Sequence, residues 1–79
     1  MTNVLYKIDN IYETFTKSEK KIADFILNEP HRIINMSVQD LSNEINTSTA
    51  SIVRSSKKIT EKGFQELKIT ISRYLPEDA

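Results

Sequence analysis

Ser37-Val38-Gln39-Asp40-Leu41-Ser42-Asn43-Glu44-Ile45-Asn46-Thr47-Ser48-Thr49-Ala50-Ser51-Ile52-Val53-Arg54-Ser55-Ser56-Lys57-Lys58-Ile59 is the stretch that decides how this chain is read. It divides into two short helices joined by one tight turn. Ser37 is a good N-cap, and Asp40, three residues on, can close a capping box with it. Leu41 and Ile45 lie one helical turn apart on an inner face. Asn46 marks the exit, because asparagine tolerates the left-handed conformation that a sharp helix end needs. Ser48 can cap the second helix, whose inner stripe is Ile52, Ser55 or Ser56, and Ile59. Its outer face then carries Thr49, Ser51, Arg54 and Lys57 or Lys58. Two helices that cross steeply need small side chains at the contact, and Ser42, Ala50, Ser55 and Ser56 supply them. A helix, a tight turn and a second short helix that is polar and basic on one side form the pattern of a DNA-binding helix-turn-helix.

Outward from that pair, the sequence reads as three more helices and no strands. Val4, Leu5, Ile8, Ile11, Tyr12 and Phe15 share one face of a first helix predicted from about Asn3 to Glu13, with Tyr6 on the other side. Thr16-Lys17-Ser18-Glu19 is a T-x-x-E capping box that starts a second helix. That helix runs to about Leu27, with Ile22, Phe25 and Ile26 inward. Asn28-Glu29-Pro30 closes it, and Pro30 can open a short turn of helix carrying Ile33 and Ile34. Lys62-Gly63 is the last break, with Gly63 suited to a positive φ. The final helix is predicted from about Phe64 to Tyr74, with Phe64, Leu67, Ile71, Tyr74 and Leu75 aligned and Ile69 opposite. Pro76-Glu77-Asp78-Ala79 reads as a helix stop leading into a linker. The expected fold is all-α, a small five-helix bundle over residues 1–75 that contains the helix-turn-helix. Isolated helices of about 12 residues are marginal in water, so a shared apolar stripe must hold these together.

Composition narrows the function classes. Seventy-nine residues make one small domain with one modest core. The chain has no cysteine, which removes disulfides, thiolate zinc sites and thiol nucleophiles and suits a reducing cytoplasm. No apolar run approaches the roughly 20 residues of a membrane span. The start, Met1 to Lys7, lacks the layout of a secretory signal. A cytoplasmic protein with no membrane partner is expected. The formal net charge is zero, but its distribution is uneven. From Ser51 to Arg73 stand Arg54, Lys57, Lys58, Lys62, Lys68 and Arg73 against Glu61 and Glu66. Residues 1–50 hold five basic and seven acidic side chains. Local potential, not total charge, steers a polyanion.

In such a motif the N-terminal half of the second helix enters the major groove. Ser48, Thr49 and Ser51 sit at that end, where hydroxyls and free amides favour phosphates and base edges. Arg54 follows about one and a half turns in, and arginine is the side chain best shaped for guanine O6 and N7. It is the expected base reader, with Lys57, Lys58, Lys62 and Lys68 on phosphates. No catalytic, metal or cofactor site is expected. His31 is the sole histidine, with no cysteine or second histidine to complete a site. Asp9, Glu13, Glu19, Asp24 and Glu29 read as solvated faces, and Gly63 stands alone, so there is no phosphate-binding glycine loop. An enzyme is not expected. The rival reading is a helical protein–protein interaction module using Tyr6 and Ile69, which both project away from the expected core.

With the motif in place, the chain resembles the N-terminal domain of RpiR-family bacterial transcription regulators, from about Tyr12 to Tyr74. The resemblance lies in Thr16-Lys17-Ser18-Glu19-Lys20-Lys21-Ile22-Ala23 and Ile33-Ile34-Asn35-Met36-Ser37-Val38-Gln39-Asp40-Leu41. It continues through Ser48-Thr49-Ala50-Ser51-Ile52-Val53-Arg54 and Lys62-Gly63-Phe64-Gln65-Glu66-Leu67-Lys68. It implies binding of double-stranded DNA through Ser48 to Lys58, by a homodimer in the full-length protein. It also implies a further C-terminal domain of the sugar-isomerase type, reached through a linker beginning at residues 76–79, that binds a phosphosugar effector. Regulation of sugar or amino-sugar catabolism follows from the same resemblance. The sequence departs from the family at Asn46, where the turn usually has glycine, at Ser55, where an aromatic residue is common, and at Thr60-Glu61, which replace a glycine and an aromatic. The last two leave the recognition helix less anchored by bulk and free to run on.

Overall fold

The computed structural model describes residues 3–75. They form six α-helices: α1 Val4–Ile11, α2 Lys17–Asn28, α3 Pro30–Ile33, α4 Val38–Ile45, α5 Thr49–Thr60 and α6 Phe64–Arg73. The helix count is one more than the sequence predicts, because the turn opened by Pro30 is a four-residue helix in its own right. Proline at its first position lacks only a donor that would have no partner there. The Arg32 amide donates to the Glu29 carbonyl at 3.1 Å, and Ile33 goes fully into the core.

Side-chain caps set most boundaries. Asn3 Oδ1 accepts from the Leu5 amide at 2.8 Å to start α1. That helix stops at Ile11 rather than Glu13 and tightens into a 3₁₀ turn, Tyr12–Thr14. The turn releases Phe15 into an extended backbone that carries its ring into the core. Both capping boxes form, Thr16 with Glu19 and Ser37 with Asp40. Each box satisfies a helix-end amide that would otherwise lack a partner.

Among the described residues three take positive φ: Asn46 at 54°, Glu61 at 68° and Gly63 at 109°. Asn46 ends α4, and Thr47 N–H donates to the Ser42 carbonyl at 3.1 Å, turning the chain sharply into Ser48. Gly63 has open space around the position a side chain would take, so the backbone angle alone asks for glycine. Glu61 ends α5 in the left-handed region, so the helix stops at Thr60 instead of running on past the missing glycine.

α5 is the centre of the molecule and packs against α1, α2, α4 and α6. Its inner face is Ser51, Ile52, Ser55, Ser56 and Ile59, all buried. Around it lie Ile8, Ile22, Ile26, Ile33, Leu41, Leu67 and Ile71, each at 0 % exposure. The Ser55 and Ser56 hydroxyls are buried without loss, because each donates at 2.7 Å to a carbonyl four residues back, Ser51 and Ile52. Tyr6 and Ile69 point to solvent, as their positions in the helical pattern predict.

Candidate nucleic-acid interface

α5 exposes one narrow arc. Ala50, Val53, Arg54, Lys57 and Lys58 are exposed, and Thr49 is half-buried. Ser48 N-caps the helix, its Oγ accepting from the Ser51 amide at 3.1 Å. The sequence reading is corrected at Ser51, which is only 5 % exposed and lies on the inner side, not the outer face. Its hydroxyl oxygen accepts from the Ser48 hydroxyl at 3.0 Å and from Arg54 Nη2 at 3.1 Å. Ser51 therefore orients Arg54 from below, and Val53 takes the outward place that polarity assigned to Ser51.

The lysines fall into different settings. Lys57 and Lys62 are exposed, and no ion pair engages either among the described residues. Lys68 lies over the Phe64 ring at 5.1 Å and donates to the Met36 carbonyl at 2.7 Å. An ammonium has three donors, so this bond leaves two for another acceptor. Val53, Lys62, Gln65 and Lys68 line one groove between α5, α6 and the start of α4.

Lys58 is placed differently from the sequence expectation. Its ammonium sits 2.8 Å from Glu19 Oε1 and 5.5 Å from the centre of the Phe15 ring. Glu19 is 2 % exposed, so it is a buried carboxylate and not part of a solvated face. The same Oε1 accepts from the Thr16 amide at 2.8 Å. Burial pushes the Glu19 carboxyl up, but the bonds from Lys58 and Thr16 and the Lys58 charge outweigh it and hold the carboxyl below its usual range. Lys58 thereby ties α5 to the first turn of α2, its ammonium engaged by Glu19 while its side chain stays 44 % exposed.

Two features escape a reading of the sequence by residue polarity. The stripe 50, 53, 54, 57 follows helical spacing and would have found Ala50 and Val53. Lys21 of α2 reaches the Asn46 carbonyl at 3.4 Å, which puts a cation at the turn between α4 and α5. His31 is exposed, and no cluster of metal-ligating side chains forms among the described residues.

A capped α4, a left-handed asparagine turn and a central α5 with one cationic arc outward define a helix-turn-helix domain. The chain belongs to the rpiR family: the family described as "Helix-turn-helix domain, rpiR family" matches residues 2–78. It is 49 % identical over 72 residues to an uncharacterised HTH-type transcriptional regulator of Caldanaerobacter subterraneus subsp. tengcongensis, covering 91 % of this chain and 26 % of that protein. A similar regulator from Haemophilus influenzae is 41 % identical over 70 residues, which is 89 % of this chain and 24 % of that protein. The crystal structure of the N-terminal domain of the Bacillus subtilis regulator ybbH superposes with a TM-score of 0.82 at 36 % identity, over 91 % of this chain and 88 % of that one. The chain thus spans about a quarter of the length of the curated relatives it matches.

Proposed function

We propose that this chain is the sequence-specific DNA-binding domain of a bacterial transcriptional regulator, and that α5 is its reading helix. The observation that carries the proposal is the outward arc of α5, where Arg54 stands exposed on a hydroxyl support with Lys57 one turn on. Arg54 reads a guanine edge in the major groove. Lys57, Lys62 and Lys68 meet phosphates, with Ser48 and Thr49 at the helix start. Lys58 holds the helix in place.

The family resemblance supports the wider reading. The relatives are more than three times as long, which leaves room for a further domain of the sugar-isomerase type that senses a phosphosugar. The linker assigned to residues 76–79 lies outside the described residues. Two copies in the full-length protein would place their α5 helices on half-sites about 34–36 Å apart, or a multiple of that. Control of sugar or amino-sugar genes in the cytoplasm belongs to the same proposal. No described helix is long and apolar enough to cross a membrane.

The test is a fluorescence-anisotropy titration with duplex DNA at two salt concentrations. Four cations on the backbone and bases give a slope of log affinity on log salt of about −3 to −4. Arg54→Ala is expected to lose about 1–3 kcal/mol and relax base preference at one position. Salt-insensitive binding, or Arg54→Ala with unchanged discrimination between sites, would overturn the assignment.

A further inference from the structure

The exposed arc of α5 is not uniformly polar. Val53 is 39 % exposed, and Ala50, one turn before it, is exposed as well. Val53 and Arg54 stand about 100° apart around the helix, and Ala50 falls between them. A single exposed valine is ordinary. This one is set apart by its surroundings. Arg54 and Lys57 flank it on the helix, and Lys62, Gln65 and Lys68 line the groove on its other side. A small apolar centre with cations on both sides, Asp40 being the one acid in the groove lining, fits a polyanion whose floor displays a methyl group. The major groove is such a surface, and the thymine C5-methyl is the apolar group its base edges present.

We propose that Val53, backed by Ala50, is a specificity-determining residue that recognises the C5-methyl of thymine beside the base edge read by Arg54. This rests on α5 as the reading helix and adds which base lies next to the arginine contact. Removing one methyl from water against Val53 is worth about fourfold in affinity. Val53 supplies no hydrogen bond, so the preference is for the methyl and not for the adenine–thymine pair as such.

Duplexes enriched by this chain from a random-sequence pool at low salt provide the probe. Each thymidine is replaced in turn by deoxyuridine, which removes the methyl and keeps every hydrogen-bonding group. Anisotropy is expected to show a loss of about fourfold at the thymines facing α5, and Val53→Ala is expected to abolish that loss. Val53 is exposed, so the variant keeps the fold, and its melting curve checks this. Unchanged affinity at every deoxyuridine position, or a full loss that persists in Val53→Ala, overturns the thymine contact while DNA binding stands. A chain that binds no duplex in a salt-dependent way overturns both.

Discussion

Lys58→Met separates a structural lysine from a DNA-contacting one. The substitution keeps most of the aliphatic stem, which covers apolar surface, and removes the ammonium. Lost with it are the 2.8 Å bond to Glu19 Oε1 and the contact with the Phe15 ring. A bond between a charged donor and a charged acceptor contributes about 1.5–3 kcal/mol. Stranding a carboxylate that is 2 % exposed adds to the loss. The 44 % exposure of the Lys58 side chain offsets some of it, because water already screens the ammonium. The expected destabilisation is about 1.5–3 kcal/mol, which for a domain of this size lowers Tm by roughly 6–20 °C. Urea unfolding followed by circular dichroism measures it. The pH dependence supplies a second readout. The folded-state Glu19 carboxyl is held low, so its stabilisation is present above the ordinary carboxylate range and is lost as pH falls through the folded-state value. In that window the unfolded chain binds the proton more readily, so stability falls on acidification. Lys58→Met removes the main support for the low value and should flatten that acid limb. Stability within about 0.5 kcal/mol of the parent, the range of neutral surface changes, with an unchanged acid limb, would refute the buried-pair reasoning.

Glu61→Gly is expected to stabilise the fold by about 0.5–1 kcal/mol, because Glu61 holds φ at 68° where glycine is free of the side-chain penalty; a thermal melt decides the sign. Leu41→Ala empties a fully buried site and should lose about 2–5 kcal/mol in urea unfolding. Ser51→Ala removes the support under Arg54 without removing a charge. In anisotropy titrations it should lower discrimination between sites while leaving the salt slope where it was, whereas Lys57→Met should reduce that slope by about one.

What the sequence disclosed was local. The caps at Thr16, Ser37 and Ser48, and the left-handed Asn46 and Gly63, depend on residues a few positions apart, and they were legible from spacing alone. The pairing of Glu19 with Lys58 was not, since 39 positions separate them and nothing in a helical pattern reports which two faces will meet. Polarity alone places Ser51 outward, yet α5 has neighbours on several sides and leaves only a narrow arc free. A hydroxyl can join the inner side because its own helix and its neighbours supply partners, so polarity is a poor guide to facing for serine. The extent of α3 is hidden from the sequence for a related reason. Four residues give no period to read, and Ile33 declares itself only through what it packs on.

The serines inside α5 have one more consequence. Ser55 and Ser56 are fully buried, and α5 leaves exposed a narrow ridge of Ala50, Val53, Arg54, Lys57 and Lys58. A ridge that narrow touches few base pairs, each worth about 1–3 kcal/mol of discrimination. On the proposed reading one ridge cannot single out a genomic address, where specific binding must exceed background by about 10³–10⁷. Selectivity then has to come from the spacing between ridges, and the geometry that holds two such domains apart would carry as much sequence information as the side chains themselves.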